Sequence, residues 1–368
     1  MIPYSHQWLD KRDIAEVIKV LKSDWLTQGP KVLEFEKKIA KYCGVKYAVA
    51  VSNGTVALHL AYLAAGLKKG DEVITTPNTF AATSNMLLIL LVKPVFCDIR
   101  LDTYNLDEEK IEKLINKKTK AIVPVHFAGQ PCAMDKILKI AKKHKLLVIE
   151  DAAHALGARY KGKRIGSLKS DMTIFSFHPV KPITTGEGGA IVTNSKKYYE
   201  KLLLLRNHGI YKNQSGKNIM VELGYNYRLT DIQSALGISQ LKKIDKFIKL
   251  RHQVVKWYKQ ELKTVKEIIL PQEIPGNYSG WHLYVIRVKN QKVRDNLSKY
   301  LKNNGIGANF HYPAVYLSPY YQRIGYRNFR LKKEEEYQSS CITLPCYPQL
   351  TKKNVNHIAR LITKYFSE

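Results

Sequence analysis

Long apolar runs are missing from this chain of 368 residues, and so are closely spaced cysteines. No apolar segment approaches the roughly 20 residues that a membrane-spanning helix needs, so we expect no membrane partner. The first residues, Met1–Asp10, lack the basic and then apolar pattern of a secretory signal, and we expect a cytoplasmic location. The five cysteines form no C-x-x-C pair, and no histidine pair stands near them at metal-ligand spacing. The sequence therefore predicts neither a disulfide framework nor a metal site.

Acidic residues are also scarce. The chain has 31 Asp and Glu but 60 Lys and Arg, which gives a net charge of +29. Such a charge is compatible with nucleic acid, an anionic membrane surface or a polyanionic small substrate. The lysines extend from Lys11 to Lys364 without a concentrated arm, and no strand alternates aromatic and basic residues as RNA-binding strands do. We therefore expect no specific nucleic-acid partner, and a polyanionic small substrate stays open.

The length exceeds one ordinary core and predicts one large domain followed by a smaller one. Apolar segments in the first part alternate between strand and helix patterns. The predicted strands are Tyr47–Val51, Glu72–Thr75, Pro94–Ile99, Ala121–Phe127 and Leu146–Glu150. The predicted helices include Val32–Tyr42, Thr79–Leu90, Glu108–Asn116 and Met134–His144. This alternation is typical of an α/β fold with a mainly parallel sheet, whose ligands bind at the carboxyl ends of the strands.

The rhythm changes after Asp171. Two strand-like pieces flank the loop HPVKPITTGEGG, and a helical stretch then runs from about residue 229 to 262. The remainder mixes short strands with amphipathic helices, which is typical of an α+β domain. We therefore predict a large α/β domain over 1–240 and a small α+β domain over 241–368, joined by the long helix.

Two motifs follow predicted strands in the first part of the chain. Ser52-Asn53-Gly54-Thr55 stands between a strand and a helix, where backbone N–H groups and a glycine form an anion site. An ordinary N-capped turn explains the same residues. Phe80, in Asn78-Thr79-Phe80, is placed to stack on a planar ring, or equally to pack in the core.

Two further motifs carry charge. Asp151 closes a buried strand, where an acidic group is costly unless it meets a cation such as a protonated ring nitrogen. Capping of the next turn is the alternative role. Lys181 lies between Pro179 and Pro182, after an apolar strand and before the glycine-rich TTGEGG, which is an unusual place for a solvated surface charge. Most lysines in so basic a chain are not catalytic, so the position of Lys181 alone does not show that it is catalytic.

These motifs occur in a characteristic order, which is Gly54-Thr55, Thr79-Phe80, EDAAHALGA, FSFHPVKPITTGEGGA and GYNYRLTDIQSALG. In this order the chain resembles the DegT/DnrJ/EryC1/StrS sugar aminotransferases over essentially its whole length, including WLTQGPKVLEFE, HYPAVY and TLPCYP. The resemblance implies a fold-type-I aminotransferase with pyridoxal 5'-phosphate as its cofactor. It also implies a homodimer with active sites at the subunit interface.

The same resemblance implies residue roles. Lys181 would hold the cofactor covalently, and Asp151 would pair with its pyridine nitrogen. Phe80 would stack on the ring, and His154 would lie near the phenolic oxygen. The residues expected at the cofactor phosphate are Gly54, Thr55, Val56, Ser176 and, from the neighbouring subunit, Asn226. The residues expected on the substrate side are His311, Tyr312, Arg228 and His208.

Within the family, YSHQ, SFHPVKPITT and LGYNYRL most resemble members that act in pseudaminic acid synthesis. This implies amination at C4 of UDP-4-keto-6-deoxy-N-acetyl-β-L-altrosamine, with L-glutamate as the donor. A different UDP- or dTDP-linked keto sugar, or amination at C3, stays open. Lys181 argues against the family variant that dehydrates sugars with a histidine at this position. The alternative of another class is a basic nucleic-acid-binding or regulatory protein without catalysis, which the intact lysine, aspartate and phosphate motifs disfavour.

Overall fold

The computed structural model describes residues 1–367. Its strands carry the labels β1 to β15 in chain order. The first nine strands are β1 Tyr47–Val51, β2 Glu72–Thr75, β3 Lys93–Phe96, β4 Thr119–Val123, β5 Leu147–Asp151, β6 Arg159–Tyr160, β7 Lys163–Arg164, β8 Met172–Ser176 and β9 Gly189–Thr193. The remaining strands are β10 Ile210–Lys212, β11 Asn218–Met220, β12 Ile268–Ile269, β13 Asn277–Tyr278, β14 Tyr284–Val288 and β15 Cys341–Leu344.

The α-helices carry the labels α1 to α12. The first six are α1 Lys11–Leu21, α2 Pro30–Cys43, α3 Gly54–Ala64, α4 Ala82–Ile89, α5 Met134–His144 and α6 Lys196–Arg206. The others are α7 Asp231–Leu241, α8 Ile244–Leu262, α9 Gln291–Asn303, α10 Pro319–Tyr321, α11 Lys332–Gln338 and α12 Lys352–Ser367.

A seven-stranded sheet forms the centre of the first part, in the order β1-β9-β8-β5-β4-β2-β3. β9 is antiparallel to β1 and β8, and the other neighbouring pairs are parallel. The predicted mainly parallel sheet is therefore confirmed. Since every strand except β9 points the same way, the carboxyl ends of β1, β2, β5 and β8 meet at one edge, where α/β folds bind ligands.

Helices cover both faces of this sheet. Along β1, Ala48 and Ala50 belong to one apolar cluster, and Val49 and Val51 belong to another. This period of two is that of a strand buried on both sides. The first cluster includes side chains from α2, α5 and α7, and the second includes side chains from α3, α4 and α6.

The C-terminal part builds a separate core. β14 pairs antiparallel with β12 and β15, and α9 and α12 pack near this small sheet. Within α8, Ile248 still belongs to the core of the large sheet, whereas Val254 belongs to the C-terminal core. The α+β character expected for the C-terminal part is confirmed, and the boundary at 240/241 stays a prediction.

Two predicted helices differ from the structure. The segment Glu108–Asn116 forms two short 3-10 turns, Glu108–Lys110 and Glu112–Leu114, instead of one helix. So short a segment is marginal as a helix, and tertiary contacts decide its path. Buried Glu108 binds Arg100 and Lys136, at 3.0 Å each, and these ion pairs hold the segment.

The long helix predicted over 229–262 is two helices, α7 and α8, with a break at Lys242 and Lys243. The amine of Lys243 binds the carboxylates of Asp10 and Asp13 near the start of α1. A surface lysine pattern carries no information about such a distant partner, so the break was not predictable from local periodicity.

Candidate active site

A cavity of about 840 Å³ opens at the carboxyl edge of the large sheet. Ten of the residues predicted for the site line it: Gly54, Thr55, Val56, Phe80, Asp151, His154, Ser176, Lys181, His311 and Tyr312. They come from five separate stretches of the chain, and the parallel strand ends and the loops that follow them bring these stretches together.

One end of the cavity is the N-terminus of α3. Asn53 caps this helix by accepting a hydrogen bond from the Val56 N–H at 2.9 Å. A Cβ at Gly54 would stand 2.9 Å from the Cβ of Ser176, so glycine is needed where α3 meets the end of β8. The motif is therefore both an N-capped turn and a candidate anion site, because the free N–H groups of the capped turn still border the cavity. Helix N-termini of this kind attract anions.

Asp151 ends β5 and is buried against the cavity. Its carboxylate accepts hydrogen bonds from the Thr83 hydroxyl at 2.7 Å and from the Ala153 N–H at 3.1 Å. Within residues 1–367 it forms no salt bridge, and burial raises its pKa above the ordinary value. The hydrogen bond from Ala153 shows that Asp151 does cap the turn after β5. A buried carboxylate without a cation is nevertheless costly. Asp151 therefore favours a cationic ligand in the cavity.

The preceding residue, Glu150, has a different partner. Its carboxylate lies 2.7 Å from Nε2 of His126, and both side chains are fully buried. Because the Cys132 N–H donates to Nδ1 of His126, the Nε2 atom carries the proton and donates it to Glu150. Consecutive residues of a strand face opposite sides of the sheet, and of these two carboxylates Asp151 borders the cavity. Sequence reasoning missed His126.

Lys181 lies in the loop between β8 and β9. Its N–H donates to the His178 carbonyl at 2.9 Å, which forms a turn, and the hydroxyl of Thr184 binds the Phe177 carbonyl at 3.1 Å. No hydrogen bond or ion pair involves its amine in the part of the chain that the structure describes. Burial lowers the pKa of Lys181 to about 8, against an opposing effect of the Asp151 charge. Such an amine is partly neutral near physiological pH, as a nucleophile or a base must be.

Aromatic rings and histidines also line the cavity. Phe80 is 62% exposed, so its ring is not a core residue, and it lies 6.3 Å from the Tyr312 ring. The Tyr312 hydroxyl is 3.2 Å from Nε2 of His154, whose pKa burial drives well below the ordinary value. His311 lies 2.8 Å from the Thr343 hydroxyl, and burial lowers its pKa to about 4. These histidines are neutral at physiological pH.

Other cavity residues were not predicted. His282 is buried, with its ring 4.4 Å from that of His154. It follows Trp281 in a strand-like segment, where one histidine gives no functional signal. Thr79 and Thr83 also line the cavity and were not predicted as site residues.

Three predicted residues lie outside this cavity. Asn226 is exposed, and His208 is exposed with a positive φ of 61°. Arg228 donates to the Asn207 side chain at 2.6 Å. All three belong to one stretch, residues 208–228, which also contains the β10–β11 hairpin.

Three other structural findings concern metal ions, membranes and disulfides. Among residues 1–367, no group of three or more histidines, cysteines or carboxylates is arranged to hold a metal ion. In the same range, no helix is long and apolar enough to cross a membrane. All five cysteines are buried and unpaired.

The amine of Lys181 should react with a small acylating reagent with a midpoint near pH 8 in the ligand-free protein, because burial disfavours its charged form. Asp151→Asn should move this midpoint to lower pH, since the aspartate charge is what raises it. Pulse labelling at a series of pH values, read by mass spectrometry, measures both values, with exposed Lys37 as the internal reference. An unchanged or higher midpoint in Asp151→Asn would contradict the coupling.

Comparison with known proteins gives a consistent result. The family model described as the DegT/DnrJ/EryC1/StrS aminotransferase family matches residues 7–363. The chain is 42% identical over 363 residues to the UDP-4-amino-4,6-dideoxy-N-acetyl-beta-L-altrosamine transaminase of Campylobacter jejuni serotype O:23/36, covering 97% of this chain and 96% of the relative.

Two solved structures are similar over nearly the whole length. Helicobacter pylori PseC, an aminotransferase involved in the biosynthesis of pseudoaminic acid, has a TM-score of 0.95 at 37% identity and covers 100% of this chain and 99% of its own. The PLP-form of the sugar aminotransferase Spr1654 from Streptococcus pneumoniae has a TM-score of 0.94 at 29% identity and covers 99% of this chain and 98% of its own. The chain therefore belongs to the DegT/DnrJ/EryC1/StrS aminotransferase family.

Proposed function

We propose that this protein transfers an amino group from L-glutamate to C4 of UDP-4-keto-6-deoxy-N-acetyl-β-L-altrosamine, with pyridoxal 5'-phosphate as its cofactor. The observation that carries the proposal is one cavity lined by a lysine amine without a partner, a buried carboxylate without a cation, and a helix N-terminus. The names of the Campylobacter and Helicobacter relatives support the choice of sugar.

The residues of the cavity fit the chemistry of pyridoxal phosphate. A phosphate group suits the N-terminus of α3 and the Ser176 hydroxyl, which border the same end of the cavity. A protonated pyridine nitrogen supplies the cation that Asp151 lacks. The exposed Phe80 ring offers a face for stacking, and His154 offers a neutral imidazole beside the Tyr312 hydroxyl.

When bound, the cofactor supplies an electron sink for the negative charge that forms when the donor loses its α-proton. The protein supplies the proton transfers. Lys181, once its amine is free, would remove the donor α-proton and would carry the proton that completes the transfer of the amino group. Asp151 stays anionic and keeps the ring nitrogen protonated, which maintains the electron sink. The neutral His154, His311 and His282 add no positive charge to the cavity, so they do not compete with the ring nitrogen for the Asp151 carboxylate.

The substrate side of the proposal rests on His311 and Tyr312, which also line the cavity. A UDP-sugar carries two negative charges on its diphosphate, and a chain of net charge +29 attracts it over long distances. Selection of the sugar itself depends on contacts inside the cavity.

An assay with a panel of UDP- and dTDP-linked 4-keto and 3-keto sugars, with product identification, tests the function. We expect amination of the UDP-linked 4-keto-6-deoxy sugar with glutamate as the donor. Lys181→Ala should lose several orders of magnitude in rate while its melting temperature and dimer fraction stay close to wild type, because a base and a covalent tether are lost. Turnover of a dTDP sugar alone would replace the proposed substrate, and an active Lys181→Ala would remove the lysine from its role.

We further propose a homodimer in which Asn226, Arg228 and His208 reach the cavity of the second subunit. These residues lie outside their own cavity, on a stretch with exposed apolar side chains. The exposed apolar residues of this stretch are Tyr211, Ile219, Met220, Val221 and Leu223. Contiguous exposed apolar residues are typical of an interface, and Asn226 is then placed to bind a phosphate of the partner's cofactor.

Mixing Asn226→Ala and Lys181→Ala chains tests this sharing. In a hybrid dimer, the cavity with an intact Lys181 receives an intact Asn226, while the other cavity has neither. Each parent alone should show little activity, and random exchange should restore about a quarter of the wild-type sites. Activity is measured after the mixture is refolded, with hybrids quantified by differential tags. Confirmed hybrids that show no more than the sum of the parents would contradict the shared site.

A further inference from the structure

Three side chains at the base of the cavity form a hydrogen-bonded series. The hydroxyl oxygens of Thr79 and Thr83 are 2.7 Å apart, and the Thr83 hydroxyl is 2.7 Å from the carboxylate of Asp151. Both threonines are at least 97% buried. Thr83 lies in the first turn of α4, and Thr79 lies in the bend that precedes this helix, so the entry of the chain into α4 brings the two hydroxyls together.

The number of protons available determines which hydroxyl donates and which accepts in this series. The Thr83 hydroxyl has one proton and three acceptors in reach, which are Asp151, Thr79 and the Phe80 carbonyl at 3.2 Å. An anionic carboxylate is the strongest acceptor of the three, so Thr83 donates to Asp151. Thr79 must then donate to Thr83. Each bond polarises the next, which strengthens the hydrogen bond that reaches the carboxylate.

Asp151 is thereby held from two directions. Thr83 donates to one carboxylate oxygen from α4, and the Ala153 N–H donates to the other from the turn after β5. These are the hydrogen bonds to its side chain within residues 1–367. The two donors fix the plane of the carboxylate, and the Thr83 hydroxyl offsets part of the cost of burying its charge.

We propose that Thr83, oriented by Thr79, is a positioning residue that keeps Asp151 ionised and aimed at the cationic ring nitrogen. This proposal rests on the function proposed above, since it assigns the partner of the Asp151 carboxylate. Thr83 acts through Asp151 and does not touch the reacting atoms.

Several titratable groups also face Asp151. Lys181 and His126 lower its pKa, and they do so less than Thr83 does. Tyr62, Tyr312 and Cys132 face it as well, and burial keeps all three protonated by raising their pKa values. All of these groups are unchanged in variants at Thr83. A difference between such variants in the pH dependence of cofactor binding therefore reports on the hydrogen bond from Thr83 to Asp151.

Thr83→Val keeps the β-branched shape and removes the hydroxyl, whereas Thr83→Ser keeps the hydroxyl. The matched control is Thr75→Val, because Thr75 is equally buried at the end of β2 and donates to the Val123 carbonyl at 2.8 Å, away from Asp151. Differences between Thr83→Val and Thr75→Val then report on the carboxylate and not on the loss of a buried hydroxyl.

The first readout is the dissociation constant of pyridoxal phosphate as a function of pH, measured by fluorescence titration of apoprotein. Thr83→Val should bind about 10- to 100-fold more weakly, the loss expected for a charge-assisted hydrogen bond. The pH at which binding is half lost on the acid side should rise by about one to two units, because a less stabilised carboxylate is protonated at higher pH. Thr83→Ser should restore most of both values. Equal curves for Thr83→Val and Thr75→Val would overturn the proposal.

A double-mutant cycle tests the role of Thr79. Thr79→Val should weaken binding in the same direction as Thr83→Val, but less. It should add nothing in a Thr83→Val background, since Thr79 acts through Thr83. If the losses of binding free energy in the two single variants add fully in the double variant, Thr79 does not act through Thr83, and this part of the proposal is wrong.

Asp151→Asn separates failure of this proposal from failure of the proposed function. If Asp151→Asn leaves cofactor binding and the glutamate half-reaction unchanged, Asp151 has no such role and the function itself is wrong. If Asp151→Asn impairs both but Thr83→Val behaves as Thr75→Val, only the positioning role is wrong.

Discussion

A buried carboxylate without a cation of its own is the constraint on which the site depends. Asp151 ends β5 where the sheet meets the cavity, and two neutral donors stabilise it without neutralising it. A charge in this position is costly to keep, and a cationic ligand lowers that cost. The nearby Lys181 amine forms no ion pair with it within residues 1–367, and burial shifts this amine towards its neutral form by lowering its pKa to about 8. The two groups are therefore kept reactive by the same desolvation.

The fold accounts for how these groups meet. Six strands of the large sheet run in one direction, so their carboxyl ends and the following loops share one edge. β9 runs the opposite way, and the connection from β8 to β9, residues 177–188, places Lys181 at that edge. The close approach of Gly54 to Ser176 joins the helix N-terminus to the same place. The anion site, the amine and the carboxylate thus come from distant parts of the chain and meet at one edge of the sheet.

The sequence predicted those parts whose signal is local. Helix α5 was predicted with its observed bounds, because its apolar residues recur at helical spacing and a charged face opposes them. Lys181, Asp151 and Gly54 stand in a fixed order after buried strands, and that order identified the family. Local sequence patterns did not predict features that depend on a residue far away in the chain. Lys243 breaks the helix between α7 and α8 by binding Asp10 and Asp13, and His282 reaches the cavity only through the tertiary fold.

The measurement that tests the central claim most directly is borohydride reduction of the protein in the presence of pyridoxal phosphate, followed by peptide mapping. Reduction makes the link between a lysine amine and the cofactor permanent, and mass spectrometry then locates it. We expect the added mass on Lys181 alone, although the chain offers many more exposed lysines. Stoichiometric attachment at another lysine, or no attachment at Lys181, would contradict the account.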